Sequence, residues 1–399
     1  MNNHQKKLIL LALAAVNFTH IVDSMLIMPL GDIFISAFRL SPDEYSWLVS
    51  SYAFAAFFSS LMGIFLLDRL DRKHALLFLY AGFSLATLAT SWCNSFVSLL
   101  IIRLITGLFG GMIGAVVLSI VSDIYAFSER GRAMGIIFAA FSVASALGVP
   151  AGIFLAGWGS WKLPFVIIGL LGFMIWMFIW WIFPSMSSHK LSHEGRHFLQ
   201  GLTFIFRDKN QLTALVAAFT LVLGHFMIIP FISPYMIRNV GLSQTEISYQ
   251  FLLGGVATVI TSPYIGKLTD RLGVMKVFSW MMALSFVPTL LITNLPATSL
   301  WFSLVCTTLF FIFGSGRMIS PNTLTTAAAP PKNRGSFMSL KSATQQLAIG
   351  LSAFISGQIV VIGDNNLYTG YYKIGLLAIF FGLITIWLMN HVRVAEGNE

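Results

Sequence analysis

Residues 184–211, "PSMSSHKLSHEGRHFLQGLTFIFRDKNQ", form the longest polar segment of a chain that is otherwise strongly apolar. On both sides of it, apolar stretches of about 20 residues alternate with short polar connections, and each stretch is long enough to cross a hydrocarbon core of roughly 30 Å. Six predicted spans precede this segment and six follow it. The predicted spans are about 8–30, 47–67, 74–92, 97–122, 133–157, 163–184, 211–233, 246–266, 276–294, 299–326, 336–361 and 371–391.

The composition predicts an all-α integral membrane protein. Of the 399 residues, 57% are hydrophobic and 10% are charged, whereas a typical soluble domain carries about 25% charged residues. A membrane β-barrel would instead need short segments of alternating polarity. The first apolar stretch follows "MNNHQKK" without a small-residue cleavage site, so we expect it to remain as the first helix.

The basic residues indicate how the chain is oriented in the membrane. Most of the 24 Lys and Arg residues fall on the side of the spans that bears both termini. By the positive-inside rule, both termini are expected in the cytoplasm and the chain in the inner membrane. The net charge of +9 therefore implies no nucleic-acid partner. Cys93 and Cys306 fall in or beside spans and are expected to be small buried residues.

The two sets of six spans repeat one another at an offset of about 202 residues. "LDRLDRK" (67–73) corresponds to "TDRLGVMK" (269–276), and Pro29 corresponds to Pro230. Phe-Gly and Arg-Gly pairs, spaced alike in both halves, occur at 109–110, 130–131, 313–314 and 334–335. We therefore predict an N-terminal six-helix bundle at 1–184, a cytoplasmic central loop at 185–210 and a C-terminal six-helix bundle at 211–399. Duplicated bundles of this kind are typical of transporters with a site near the midplane.

These motifs resemble the major facilitator superfamily, and more narrowly its twelve-span drug:proton antiporters and the related sugar and drug efflux permeases. "GKLTDRLGVMK" (266–276) fits the family's loop signature through Gly266, Asp270, Arg271 and Gly273. The first-half copy keeps the charged positions but has Ile64 and Asp71 where the family prefers glycine. Its kept positions are Asp68, Arg69, Arg72 and Lys73. "RLITGLFGGMIGA" (103–115) resembles the signature of span 4, and "ASALGVPAG" (144–152) resembles the antiporter motif of span 5.

The resemblance implies two pseudo-symmetric bundles that move a small molecule by alternating access, as a monomer, with the proton gradient as energy source and no cofactor. Asp23 and Arg103 are ionisable residues within predicted spans, at similar depths of about 10 and 9 Å by helical rise. Because spans 1 and 4 line the central cavity in this family, the two side chains are expected to approach. The nearby guanidinium would favour the ionised form of the Asp23 carboxyl and desolvation would favour its protonated form, so a small helix movement could switch proton binding. His20, one turn earlier, would assist at such a coupling site. A static buried ion pair is the alternative.

Other polar residues within spans have several interpretations. His225 lies one position past the predicted counterpart of Asp23 and either faces the cavity or packs as a satisfied histidine. Arg317 and Lys341 are expected to extend to the inner surface, with an anion site as the alternative. Candidates to line the cavity are Asn17, Ser142, His225, Asn322 and Gln345.

Glycines and loop charges complete the predicted machinery. Gly107 with Gly111, and Gly110 with Gly114, form two G-x-x-x-G pairs that allow close helix approach, and Gly148, Pro150 and Gly152 predict packing and a bend in span 5. By the resemblance, Asp68, Arg72 and Asp123, with Arg130 nearby, form a latch between the halves on the inner side; solvated loop charges are the alternative.

Three functions remain open at this point. The first is a proton-coupled exporter of a drug, sugar-like compound or metabolite, and the second is a symporter or facilitator that imports a small nutrient, an anionic one included. The third is a membrane receptor or a lipid-modifying enzyme. The sequence has no nucleotide-binding G-x-x-x-x-G-K-[ST], no H-E-x-x-H and no Cys-His cluster, which disfavours ATP, metal and enzyme chemistry.

Overall fold

The computed structural model describes residues 3–66, 70–125, 127–184, 205–330 and 334–395, and most of the predicted central loop, 185–210, lies outside them. Within these ranges, twelve long helical units correspond to the twelve predicted spans. They are α1 (Asn3–Leu26, continued by Gly31–Phe38), α2 (Pro42–Leu66), α3 (Arg72–Thr90), α4 (Phe96–Ile124), α5 (Phe127–Val143, Ala144–Gly148 and Val149–Trp158), α6 (Lys162–Ile182), α7 (Lys209–Phe226, Ile229–Tyr235 and Met236–Val240), α8 (Gln244–Leu272), α9 (Val274–Thr293), α10 (Leu300–Ala327), α11 (Arg334–Ile359) and α12 (Tyr371–Met389).

Nine of these units are long and apolar enough to cross a membrane by length and composition alone, counting only the described residues. They are α1, α4 to α10 and α12. A two-stranded antiparallel hairpin, β1 (Val361–Ile362) and β2 (Tyr368–Thr369), connects α11 to α12. Cys93 and Cys306 are free and buried, as expected.

Three units are interrupted near proline. The first part of α1 ends at Leu26, four residues before the predicted end, and the chain turns through Pro29 before helix resumes at Gly31. In α7, the helix ends at Phe226 and resumes at Ile229, with Pro230 in its first turn. In α5, the segment Ala144–Gly148 is a π-helical turn directly before Pro150. Proline has no N–H and clashes with the preceding turn, so each site departs from regular α-helix.

Capping residues fix where several helices begin. Ser95 forms a capping box with Ser98 at the start of α4, and Ser243 forms one with Glu246 at the start of α8. Such boxes satisfy backbone N–H groups that have no partner inside the helix. These capping boxes therefore fix the residue at which α4 and α8 begin. Both helices begin at the end of the molecule opposite the chain termini.

The repeated loop motif is built differently in the two halves. In the second half, Gly273 between α8 and α9 has φ +88°, a conformation that glycine adopts without strain. In the first half, Asp71 occupies the matching position with φ −62° and accepts hydrogen bonds from the backbone N–H groups of Lys73 and His74. The aspartate thus caps α3 and makes the family's glycine unnecessary at this turn.

The hydrophobic cores show how the halves meet. At the end of the molecule opposite the chain termini, called here the far end, residues of both halves form one shared core that includes Phe34, Tyr45, Phe231 and Tyr371. Toward the end that bears the termini, called here the terminal end, each half has a core of its own, around Tyr80 in the first half and Phe278 in the second. The halves are therefore joined by buried packing at the far end.

Candidate functional site

The structure brings Asp23 and Arg103 together as a buried ion pair. Arg103 Nη1 of α4 donates to Asp23 Oδ2 of α1 at 2.9 Å, and the two side chains are 1% and 0% exposed. The sequence placed the two residues at similar depth, and this geometry shows that the two helices also turn them toward each other. In a low-dielectric interior, each charge depends on the other for compensation.

His20 and Tyr52 complete this cluster, which we call the first-half charge cluster (His20, Asp23, Tyr52 and Arg103). The guanidinium carbon of Arg103 lies 4.7 Å from the ring centroid of Tyr52 in α2, and the Tyr52 hydroxyl is 2.9 Å from His20 Nε2. His20 Nδ1, Asp23 Oδ1 and Arg103 Nε are buried without a hydrogen-bond partner among the described residues. The cluster thus combines a carboxylate, a guanidinium and an imidazole with unused polar atoms. Its chemistry suits the binding and release of a proton.

In the second half, a buried arginine contacts a histidine. Arg317 of α10 is 2% exposed, its Nη2 lies 2.8 Å from His225 Nδ1 of α7, and its Nη1 donates to Ser285 of α9 at 3.0 Å. The expectation that Arg317 extends to the inner surface is therefore wrong. Helical rise gives the depth of the Cα atom, whereas the long side chain reaches acceptors on two neighbouring helices.

The two histidines occupy matching places in the repeat. A Cβ on Gly110 would lie 3.0 Å from His20 Nε2, and a Cβ on Gly314 would lie 2.8 Å from His225 Cε1. Gly110 and Gly314 are the glycines of the repeated Phe-Gly pairs, so each makes room for an imidazole from the first helix of its half. His225 is thus the counterpart of His20. The alignment predicted from the sequence instead places it one position past the counterpart of Asp23.

Lys341 of α11 is also buried, and the expectation that it extends to the inner surface is likewise wrong. It is 4% exposed, and its Nζ donates to Asn322 Oδ1 at 2.5 Å and to Thr325 Oγ1 at 2.8 Å, both on α10. Lys341 lines a cavity of about 100 Å³, and Gln345, one turn further along α11, lines it as well. Two predicted cavity residues, Asn322 and Gln345, therefore come together around a lysine.

The other cavity candidates lie apart from these clusters. Asn17 is half-buried and donates through Nδ2 to the carbonyl of Ile137 at 3.1 Å, which ties α1 to α5. Ser142 is half-buried in α5, just before the π-helical turn. Neither residue contacts Asp23 or Arg103 in the described hydrogen bonds.

Most of the predicted packing glycines face another helix closely. A Cβ on Gly107 or Gly111 would meet backbone atoms of Tyr52 or Ala56 in α2, and one on Gly148 or Gly152 would meet side chains of α1. Gly114 differs, because a Cβ there would meet no described atom within 4 Å. The predicted pair of Gly110 and Gly114 therefore does not form a helix-packing groove.

The predicted latch is only partly within the described residues. Arg72 Nε lies 3.6 Å from Asp123 Oδ2, which joins the start of α3 to the end of α4 within the first half. Asp68 and Arg69 lie outside the described residues. Lys73 Nζ donates to the carbonyl of Phe183 at 2.5 Å, and Arg130 Nε to that of Tyr125 at 3.0 Å.

The corresponding second-half motif is more open. Asp270 and Arg271 are exposed in the last turn of α8. A Cβ on Gly266 would meet no atom of the described residues within 4 Å.

Comparison with known proteins identifies the family. The model of the Major Facilitator Superfamily matches residues 13–228 and 214–399. The chain belongs to the major facilitator superfamily. It is 24% identical over 94% of its length to the uncharacterised MFS-type transporter YwfA of Bacillus subtilis, of which 89% is covered. It is 24% identical to the purine ribonucleoside efflux pump NepI of Salmonella paratyphi A, over 63% of this chain and 61% of that protein.

The chain is also similar in sequence to a second efflux protein and in fold to a solved transporter structure. The probable sugar efflux transporter of Helicobacter pylori is 22% identical over 64% of each chain, so this match and that to NepI span less than two thirds of the relatives. A bacterial homologue of the human lysosomal transporter Spinster, in an inward-facing and occupied conformation, superposes with a TM-score of 0.78 at 17% identity, covering 98% of this chain and 97% of that one. This superfamily member is therefore a multi-pass membrane transporter with the major facilitator fold.

Tyr52, Ser285 and Thr325 are site residues that the sequence analysis did not identify. Each lies in an apolar span and has a hydroxyl as the only polar group of its side chain. Nothing in the sequence therefore distinguishes these three from the other Ser, Thr and Tyr residues of the spans. Among the described residues, no group of His, Cys, Asp and Glu could hold a metal ion.

Proposed function

We propose that this protein is a secondary active transporter of the inner membrane that exports a small amphipathic compound in exchange for protons. In this proposal both termini are cytoplasmic and transport proceeds by alternating access. The observation that carries it is the buried contact between Asp23 and Arg103 at 2.9 Å, with His20 and Tyr52 beside it. An ionisable carboxylate within a span is costly unless it is compensated, and such residues commonly mark proton pathways.

The coupling follows from charge compensation. While Asp23 is ionised, its carboxylate and the Arg103 guanidinium compensate each other in a site that excludes water. Protonation of Asp23 removes that attraction and leaves Arg103 as an isolated buried cation, which favours any rearrangement that rehydrates the arginine. His20, whose Nε2 lies 2.9 Å from the Tyr52 hydroxyl, is a second group of this cluster that can bind a proton. Proton binding thus changes the relative stability of two arrangements of α1 and α4.

The far end provides a route from this pair to the contact between the halves. The turn that follows Asp23 in α1 presents the carbonyl of Pro29, which accepts a hydrogen bond from Ser233 Oγ of the second half at 2.7 Å. Tyr45 of α2 donates to the carbonyls of Met28 at 3.2 Å and Pro230 at 3.0 Å. A shift of α1 would change these contacts, so proton binding at Asp23 and the closure of the far end are linked in this proposal.

Export rather than import is supported by two relatives. NepI and the Helicobacter pylori protein are both named as efflux proteins, although each match covers less than two thirds of the relative. A symporter that imports a nutrient is the competing function. The two differ in the sign of the proton movement that accompanies the cargo.

Inverted membrane vesicles test the proposal. Respiration acidifies their lumen, and an acridine dye reports the gradient by fluorescence quenching. Inosine, lactose and ethidium serve as probes, chosen as a purine ribonucleoside, a sugar and an amphipathic drug. We expect at least one probe to restore fluorescence, since an antiporter releases a proton for each molecule taken into the lumen, whereas a symporter would not dissipate the gradient in this way.

Two variants isolate the role of Asp23. Asp23→Asn should abolish the response while the protein remains in the membrane, and Asp23→Glu should retain part of it. Asp43→Asn is the matched control, because Asp43 is an exposed carboxylate in the first turn of α2. Uphill transport that continues unchanged in Asp23→Asn would refute the proposed coupling.

A further inference from the structure

A small cavity in the second half has a charged polar end and apolar walls. It lies between α7, α10, α11 and α12 and has a volume of about 100 Å³. Asn322, Thr325, Lys341 and Gln345 form the polar end, and alanine, leucine, methionine and proline side chains form the walls. Asn322 is exposed, so the polar end can be reached from outside the protein. We call this cavity the Lys341 pocket.

Among the described residues, Lys341 has no partner of opposite charge. Its Nζ donates to two neutral oxygens, and no described carboxylate forms an ion pair with it. Asp208 caps the start of α7 and accepts a hydrogen bond from Gln211. The other described acids of the second half are Glu246 and Asp270, near the ends of α8, and Asp364, in the loop after β1. A buried cation that faces only neutral partners is costly, and an anion in the same pocket would remove that cost.

The fold itself does not require a cation at this position. Counted from the repeated Arg-Gly pairs at 130–131 and 334–335, the first-half counterpart of Lys341 is Ile137, which is 2% exposed. An apolar side chain therefore fills the equivalent place in the other half. The lysine and the amides beside it are a feature of the second half alone.

We propose that the Lys341 pocket binds a carboxylate group of the cargo. The ammonium of Lys341 and the side-chain amides of Asn322 and Gln345 supply donors to the two carboxylate oxygens. The apolar walls receive the carbon atoms next to the carboxylate. Because a cavity of about 150 Å³ holds benzene, a pocket of 100 Å³ accommodates the charged end of an amphipathic acid and not the whole molecule.

The donor set favours a carboxylate over a phosphate. One lysine provides one positive charge, which matches a monoanion. Arg317, the buried cation of α10, is directed toward His225 and Ser285 and does not line the pocket. This inference rests on the proposed transport of an amphipathic compound and specifies its charged group.

Thermal unfolding of the purified full-length chain in detergent tests the inference, followed by tryptophan fluorescence at constant ionic strength and pH. The probes are benzoate and hexanoate, each compared with its neutral amide, benzamide or hexanamide. A binding experiment is preferred to a flux experiment because the protonated acids cross membranes unaided. We expect at least one carboxylate to raise the unfolding temperature saturably and its amide to have a much smaller effect.

Matched variants assign the effect to the pocket. Lys341→Gln should weaken the apparent affinity for the carboxylate by roughly tenfold or more, since a charged hydrogen bond is lost. Lys267→Gln should bind as the wild type does, because Lys267 is an exposed lysine of α8. Should Lys341→Gln fail to fold, Gln345→Ala removes a donor from the pocket without removing the charge, and it should also weaken binding.

Three results would overturn the inference: no carboxylate raises the unfolding temperature, the amide does so equally, or the effect persists in Lys341→Gln. This experiment uses no gradient and leaves Asp23 intact. Failure of proton coupling in vesicles would therefore leave carboxylate binding measurable, and absence of binding would leave the coupling test unchanged.

Discussion

The two halves share a backbone plan but differ in how they hold buried charge. In the first half, Arg103 is neutralised by Asp23 at 2.9 Å. In the second, Arg317 contacts a histidine and a serine, and Lys341 contacts an asparagine and a threonine, without a carboxylate among the described partners. The repeat conserves the position of a histidine over a glycine, yet it conserves none of these charges.

This difference separates what the fold needs from what the proposed transport would use. By the Phe-Gly repeat, Arg103 corresponds to Thr307 and Arg317 corresponds to Ile113, and both of these counterparts are fully buried. Each half thus forms the same helices whether or not a cation is present. A neutral pair in one half suits a proton, and uncompensated cations in the other suit an anionic group.

The largest expected effect is that of breaking the neutral pair. Asp23→Asn leaves Arg103 buried and unpaired, and Arg103→Met leaves Asp23 buried and unpaired, so each should lower the free energy of unfolding by about 3–5 kcal/mol. The double variant should recover most of that stability, since no isolated charge remains. Unfolding temperature and the vesicle proton signal measure the two properties separately.

Coupling should remain absent in this double variant even though stability returns. Recovery of the proton signal together with stability would mean that the pair is a static contact and that another group binds the proton. Additive losses in the double variant would mean that the two charges do not compensate each other.

A second contrast concerns how closely the helices pack. A Cβ on Gly111 would lie 2.5 Å from the carbonyl oxygen of Ala56, whereas its counterpart in the repeat is Ser315, whose hydroxyl lies 3.3 Å from that of Ser262. Gly111→Ser should therefore push α4 from α2 and cost about 1–3 kcal/mol. Gly114→Ser is the control on the same helix, because a Cβ at Gly114 meets no atom within 4 Å in the described part of the chain. Equal losses in both variants would refute the packing explanation.

The sequence predicted the spans well because long apolar stretches are local signals. It also predicted the contact of Asp23 with Arg103, because the two lie at similar depth and the family resemblance implies that spans 1 and 4 line one cavity. The interruption of α1 before Pro29 was not predicted, although the proline repeats as Pro230. Hydropathy continues through such a break and therefore does not register it.

The directions of the long basic side chains could not be predicted. Depth by helical rise suggested that Arg317 reaches the inner surface, but acceptors on α7 and α9 hold it inside. Those acceptors become neighbours only when three helices pack. The first-half counterpart of His225 was also assigned wrongly. The repeated prolines and the repeated glycines give different offsets between the halves, and the glycine that faces each histidine ring gives the correct one.

A third prediction concerns removal of the uncompensated arginine. Arg317→Met loses the hydrogen bonds to His225 and Ser285 but also removes a buried charge, and these effects oppose each other. We expect a change of at most about 1.5 kcal/mol in the free energy of unfolding, far smaller than that of Arg103→Met. Denaturant unfolding of both variants checks it, and equal losses would show that Arg317 has a compensating charge after all.

The smallest expected effect is at the ion pair that joins the two halves. Arg238 Nε at the end of α7 lies 2.7 Å from Asp32 Oδ1 in the helix that follows Pro29, and both side chains are partly exposed, at 15% and 18%. Because water screens such a pair, a double-mutant cycle with Asp32→Asn and Arg238→Gln should give about 0.2–1 kcal/mol, and high salt should reduce it further. A coupling as large as that of Asp23 with Arg103, or one insensitive to salt, would place the principal electrostatic contact between the halves rather than inside the first.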